Sequence, residues 1–314
     1  RGVLVTSGAG VGIREGLADV PVLVRLHTGN FDFLAARPDG ADVRVIGADD
    51  KTPLKFQIEK FDALAEQALI WVQVPVLLSG NNSQHIWLYY GNDDAPAAGD
   101  AKGGYDVNQI GVWHFAEGAG APQDSTAYGN HAGEFAGTRI SGAAIGAGIG
   151  FTGAPLAIPS TPSLRLAAGG GFTFSAWLRV ADPTKDAVLY RQQDGERAIS
   201  VALEGGKVVA AVRDVKGTTR VEAAAVLAAE RWHHVAVTIA RKATVYVDGE
   251  AAGEAAAALP EMGGAITLGE GLAGEMDEVN LANVARGADW IRVAALGQGG
   301  EGRLVRLGEQ ESAE

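Results

Sequence analysis

Apolar and polar positions alternate along most of the chain, and the alternation has the period of a β-strand. Phe172, Phe174, Ala176 and Leu178 interleave with Thr173, Ser175, Trp177 and Arg179, which sends successive side chains to opposite faces. Val235, Val237 and Ile239 interleave with Ala236, Thr238 and Ala240. Val245 and Val247 then run into Asp248-Gly249, a two-residue hairpin signal in which both residues tolerate positive φ. Glu204-Gly205-Gly206-Lys207 separates 198–203 from 208–213 in the same way. Upstream, strands are expected over 20–27, 43–47, 54–60, 68–74 and 85–90. Leu54, Phe56 and Ile58 oppose Lys55, Gln57 and Glu59, the pattern of a half-solvated antiparallel sheet. One short helix is expected over 289–296. The pattern predicts an all-β chain of two antiparallel β-sandwich domains, with Phe174 and Val237 in a core.

The run Asn92-Asp93-Asp94-Ala95-Pro96-Ala97-Ala98-Gly99 has linker composition. It divides a first domain, 1–98, from a second, 99–300, and leaves 301–314 as an acidic tail or linker carrying Glu309, Glu311 and Glu314. The chain opens on Arg1-Gly2-Val3-Leu4-Val5-Thr6, which reads as the inside of a strand. It is therefore expected to be processed or cut from something longer.

Composition narrows the function classes. At 314 residues and 47% hydrophobic, the chain can bury two cores of ordinary size. A net charge of −12 argues against a nucleic-acid partner, whose phosphates need Lys and Arg, and against docking on anionic lipid. With no cysteine there is neither a disulfide framework nor a thiolate metal site. No apolar run reaches the length that spans a bilayer, and no nucleophile elbow, phosphate loop or His-Glu-x-x-His motif appears.

Gly171 to Leu178, Arg231 to Thr238, Ala243 to Glu250, Gly274 to Val279 and Gly287 to Val293 form an ordered set. That set resembles the laminin-G-like branch of the concanavalin A-like jelly rolls, over about 105–297. The resemblance implies a jelly roll shared by lectins, adhesion modules and glycanases. It also places Trp113, Trp177 and Trp232 in or beside the sandwich core. A second set covers 1–98: Asp19 to Leu26, Gly29 to Phe33, Gly40 to Arg44 and Ile86 to Asn92. It resembles a bacterial domain of unassigned function that often precedes a laminin-G-like domain. In one group of such proteins membrane helices of the MotA/TolQ/ExbB proton-channel family follow. That context implies a bacterial extracytoplasmic, periplasmic protein joined to membrane helices absent from this chain, whose oligomeric state those helices would impose.

Two constellations invite chemistry. Glu275-Met276-Asp277-Glu278 is acidic, and a jelly-roll glycanase needs two carboxyls facing one sugar. On one strand Glu275 and Asp277 share a face, but the next position on it is Val279, and Glu278 points the other way. The glycanase spacing fails, so no catalytic residue is assigned and no enzyme activity is expected. The second is Asp124-Ser125-Thr126-Ala127-Tyr128-Gly129-Asn130-His131, which resembles a family loop. The resemblance implies a Ca²⁺ site built from Asp124 and Asn130, closed by Asp277 or Glu278. Ca²⁺ takes six to eight oxygens. The alternative is an Asx-turn loop with no ion.

His233 and His234 are strand neighbours on opposite faces and cannot chelate together, and His114 sits between Trp113 and Phe115 as a packed histidine. His85, Trp87 and Tyr89 share one face of a strand. Exposed, such a stripe stacks sugar rings; buried, it is a second core or a contact with the second domain, and the pattern favours a buried stripe. The sequence thus predicts a non-enzymatic binding or scaffolding module for a glycan, envelope polymer or protein. The alternative is a secreted glycan-active hydrolase.

Overall fold

In a computed structural model that describes residues 1–311, antiparallel strands dominate: 44% of the chain is strand and 5% helix. Two units separate, one from Arg1 to Asp106 together with the chain from Arg292 onward, the other from Val107 to Ile291.

The first unit is built on two sheets. Leu17–His27, Gln67–Leu77 and Phe56–Asp62 form a three-stranded sheet with Gln67–Leu77 in the middle. Val22 pairs with Val72 and Val24 with Ile70, and all four are buried. Leu54 and Phe56 are buried as the alternation predicts, but Ile58 is only partly buried, like Gln57 and Glu59. The second sheet runs Val305–Leu307, Gly2–Leu4, His85–Tyr89, Arg44–Ile46.

That sheet corrects the expected tail. Val305–Leu307 is an edge strand, with Gly2 opposite Leu307 and Leu4 opposite Val305. Two forces recruit it. Leu304 is an apolar side chain that buries completely, and Val5 N–H donates to its carbonyl at 2.7 Å. The unpaired edge of Gly2–Leu4 also gains ladder bonds that water would otherwise supply. Residues 99–106 belong to the same unit, with Asp100 N–H donating to the Phe56 carbonyl at 2.7 Å.

The second unit is a two-sheet sandwich. One sheet orders Leu156–Ile158, Ile266–Glu270, Ala187–Asp194, Arg197–Glu204, Lys207–Asp214 and Gly217–Glu222. The other orders Glu250–Ala256, Lys242–Val247, His233–Ile239, Phe172–Val180, Ala273–Ala282, Ala147–Thr152 and Thr138–Ser141, with Gln109–Trp113 also on Ala273–Ala282. Phe174 and Val237 face each other in register and are fully buried. Phe174 packs on Tyr190 of the opposite sheet at 5.2 Å between ring centroids.

Both hairpin signals fold as turns. Gly205 and Gly206 have φ of +54° and +86°, and Asp248 and Gly249 have +51° and +85°, as the right-handed twist of the flanking strands requires. The helix is Ala288–Gln298, and its first turn seats Ile291 on Ala236 and Tyr246. Trp113 and Trp177 are buried; Trp232 is partly buried beneath the Arg179 guanidinium, 5.1 Å from its ring.

Candidate functional site

The carboxylates of the acidic strand Ala273–Ala282 meet partners within the protein. Ser175 lies opposite Asn280 but Trp177 opposite Asp277, so the acidic strand carries one extra residue at this point. Glu278 takes φ +50° there, a β-bulge that interrupts the period-two alternation. Asp277 and Glu278 are both buried. Asp277 accepts from Ile145 N–H and from Glu278 N–H, each at 2.7 Å. Glu278 pairs with His114 Nδ1 at 2.7 Å. One Glu275 oxygen accepts from both the Nε and a terminal nitrogen of Arg179 at 2.5 Å, a charge-assisted pair.

The loop from Asp124 to Asn130 folds around its own aspartate. One Asp124 oxygen accepts from Val112 N–H and Thr126 N–H at 2.9 Å each. The other accepts from the Thr126 hydroxyl at 2.8 Å and Asn130 N–H at 2.7 Å. Asn130 donates to the Ile110 carbonyl at 2.6 Å, and its own side-chain oxygen accepts from Thr161 at 2.6 Å and Ser163 at 2.9 Å. The structure therefore brings Asp124 and Asn130 together but gives Asp277 a different set of partners. The three residues do not fit a Ca²⁺ shell. Both Asp124 oxygens already have two donors, a full complement for a carboxylate, and a cation would have to displace buried N–H groups. Among the described residues, neither Asp124 nor Asp277 belongs to a group of three acidic or histidine side chains within coordinating reach. The Asx-turn alternative describes this geometry.

His233 and His234 are also held within the fold. His233 Nδ1 lies 2.8 Å from Asp248 and its Nε2 accepts from Ala228 N–H at 3.2 Å, which places the ring proton on Nδ1. His234 is fully buried, edge-on to Trp177 at 5.4 Å, and burial lowers its pKa to about 4. Burial pushes Asp248 up, but the hydrogen bond and charge of His233 and the His234 N–H together hold it below its ordinary value.

The open site lies in the first unit. A cleft of about 400 Å³ is lined by Phe31, Trp87, Tyr89 and Tyr90, with Asp50 and Arg1 at its polar positions. Its volume lies in the range of small-molecule sites. Trp87 and Tyr89 stand on the same face of His85–Tyr89, 6.5 Å apart and tilted by 33°. Tyr90 lies against Phe31 at 4.2 Å. Tyr89 is 40% exposed, and the Trp87 indole N–H has no acceptor among the described residues. The stripe that the pattern read as buried therefore opens to solvent at one end.

The polar wall has a local cause. Asp49 caps the turn after Arg44–Ile46, accepting from Lys51 N–H, Thr52 N–H and the Thr52 hydroxyl at 3.1, 3.0 and 2.6 Å. The Thr52 hydroxyl and these amides hold its pKa at about 2. The turn then sets Asp50 at φ +56°, a conformation Asp tolerates. Asp50 accepts from the Tyr89 hydroxyl at 2.6 Å, a bond that raises the tyrosine pKa. A second cleft of about 600 Å³ shares Asn30, Phe31 and the segment 307–310 with the first and adds Asp32, Phe33 and Glu66. Sequence reasoning located the stripe but not Phe31, Asp50 or the 307–311 segment. They lie far apart in the chain, with no spacing to join them.

Residues 152–292 match the model of the concanavalin A-like lectin/glucanases superfamily. The second unit is a concanavalin A-like jelly roll. Residues 39–126 match a domain of unknown function, DUF2341. No curated protein matches the chain. The binding domain of Paraclostridial Mosquitocidal Protein 1 is similar in fold, at 14% identity and TM-score 0.53, covering 60% of this chain and 52% of that one. The receptor binding domain of a botulinum neurotoxin C/D mosaic serotype follows at 12% identity and TM-score 0.49, with 61% and 51% covered. That of botulinum neurotoxin D stands at 12% and 0.47, with 61% and 53% covered. The matched region spans about half the length of these structures.

Proposed function

We propose that the protein is a non-catalytic, extracytoplasmic binding module for a glycan or glycan-bearing envelope polymer. The observation that carries this reading is the open aromatic cleft of the first unit. Trp87 and Tyr89 offer flat apolar faces, while Asp50 and Asn30 supply acceptors, the mixture that a sugar's C–H face and hydroxyls require. The absence of catalysis is supported by the use made of Glu275, Asp277 and Glu278, each of which has at least one carboxylate oxygen engaged, by Arg179, backbone N–H groups and His114 respectively.

The similar solved structures include binding domains, in keeping with a recognition role. The resemblance of the first unit to domains of ExbB-like proteins supports placing the module outside the cytoplasmic membrane, as the soluble part of a biopolymer transport assembly. Among the described residues no helix is long and apolar enough to cross a membrane.

A glycan array with isothermal titration of the hits tests the reading, run beside a polysaccharide hydrolysis screen. Binding without turnover is expected, weakened at least tenfold in Trp87→Ala. Turnover lost in Glu275→Gln would overturn the non-catalytic assignment, and an array without hits would overturn the glycan.

A further inference from the structure

The walls of the two joined clefts carry a charge that a neutral sugar would not need. Asp32, Asp50, Glu66, Glu309 and Glu311 line them, against Arg1 as the one side-chain cation among the described residues. Two of these carboxylates are already directed by the fold. Asp50 accepts from Tyr89, and Asp32 accepts from Leu34 N–H at 3.0 Å, but each bond takes only part of what a carboxylate can accept. The aromatic faces of Trp87, Tyr89, Tyr90 and Phe31 are the second element. Aromatic faces attract cations through the ring quadrupole, most strongly for tryptophan. Carboxylates and aromatic faces in one concave site converge on the same ligand chemistry, an organic cation carried on an apolar body.

From this juxtaposition we infer that the glycan recognised is an aminated one, whose protonated amino groups sit among these carboxylates while its rings lie on the aromatic faces. The inference rests on the glycan-binding reading of the same cleft. The clefts share Asn30, Phe31 and residues 307–310, so they adjoin along that segment, and together they suit an oligomer of several sugars. A uronic-acid polymer is disfavoured twice, by the cleft and by the chain's net charge of −12, which repels anions at long range.

The test compares three oligomers of matched length by isothermal titration at about pH 6, where an aliphatic amine is protonated: glucosamine, N-acetylglucosamine and galacturonate. The glucosamine oligomer should bind at least tenfold more tightly than its acetylated counterpart, and galacturonate not measurably. The preference should shrink in 0.5 M salt and fall below threefold in the Asp50→Asn/Glu309→Gln double variant. Asp50 and Glu309 lie on the surface, so the variant should keep the wild-type melting temperature. Equal affinity for the first two oligomers would overturn the aminated class and leave the glycan reading intact. Binding of none, with an empty glycan array, would overturn both. Preference retained in the double variant would overturn the assignment of these carboxylates.

Discussion

The two units use similar residues to opposite ends. In the jelly roll, Asp277, Glu278, His233 and an Asp–Asn loop are folded inward, where Asp277, Glu278 and Asp124 meet Ile145 N–H, His114 and the loop's own donors, and His233 meets Asp248. In the first unit, a stripe of alternating aromatics and a handful of scattered acids remain at the surface of a cleft. The difference teaches that a polar cluster is a site only to the extent that its hydrogen-bonding capacity is unspent. Asp124, with four donors, is chemically closed. Asp50, with one tyrosine hydroxyl, is open.

The sharpest way to break this contrast is through stability. Phe174→Ala removes a fully buried ring that packs on Tyr190 and should cost about 3–5 kcal/mol, read as a loss in denaturant midpoint. A loss below about 1 kcal/mol would mean that the jelly-roll core is not where the fold places it.

Acid should loosen the same unit. An unfolded chain protonates His234 below its ordinary value of 6.5, whereas the native state resists until about 4. The unfolded state therefore binds more protons in that window. The contribution is complete above pH 6.5 and is lost as pH falls towards 4, by roughly 3 kcal/mol. Asp248, held below its ordinary value, gives up its own contribution only at lower pH and does not offset this. Denaturant melts of wild type and His234→Gln between pH 7 and 4 should converge on acidification. Parallel curves would show that His234 is protonated in the native state.

Asp124→Ala leaves Val112, Thr126 and Asn130 N–H groups without their acceptor and should cost about 2–3 kcal/mol. Wild-type melts in EDTA and in millimolar Ca²⁺ should coincide. A bound ion would raise stability by about 2.7 kcal/mol at a hundredfold excess over Kd, so a clear calcium shift would reopen the metal reading of Asp124 and Asn130.

Trp87→Ala should move stability least, by under about 1.5 kcal/mol for a partly exposed side chain, yet reduce glycan affinity at least tenfold. If stability drops by as much as in Phe174→Ala, the stripe is core after all and the contrast fails.

Much of the fold was legible in the chain because strand periodicity and turn chemistry are local. Phe172 to Leu178 and Val235 to Ile239 could alternate only as strands with a buried face, and Asp248-Gly249 and Gly205-Gly206 could close only tight hairpins, since positive φ is open to few residues. What the sequence could not determine was whether each polar group still had capacity for a ligand. The bulge at Glu278 breaks the alternation that would have placed it opposite Asp277. Four donors from other parts of the chain or loop consume Asp124. Leu304 and an unpaired strand edge draw 305–307 into a sheet, where the acidic composition had suggested a tail. Trp87, Asp50, Phe31 and Glu309 share a cleft although up to 278 positions separate them in the numbering. Alternation within a strand is set by neighbours in the chain, whereas donors, acceptors and cavities are set by neighbours in space, and only the tertiary structure decides which those are.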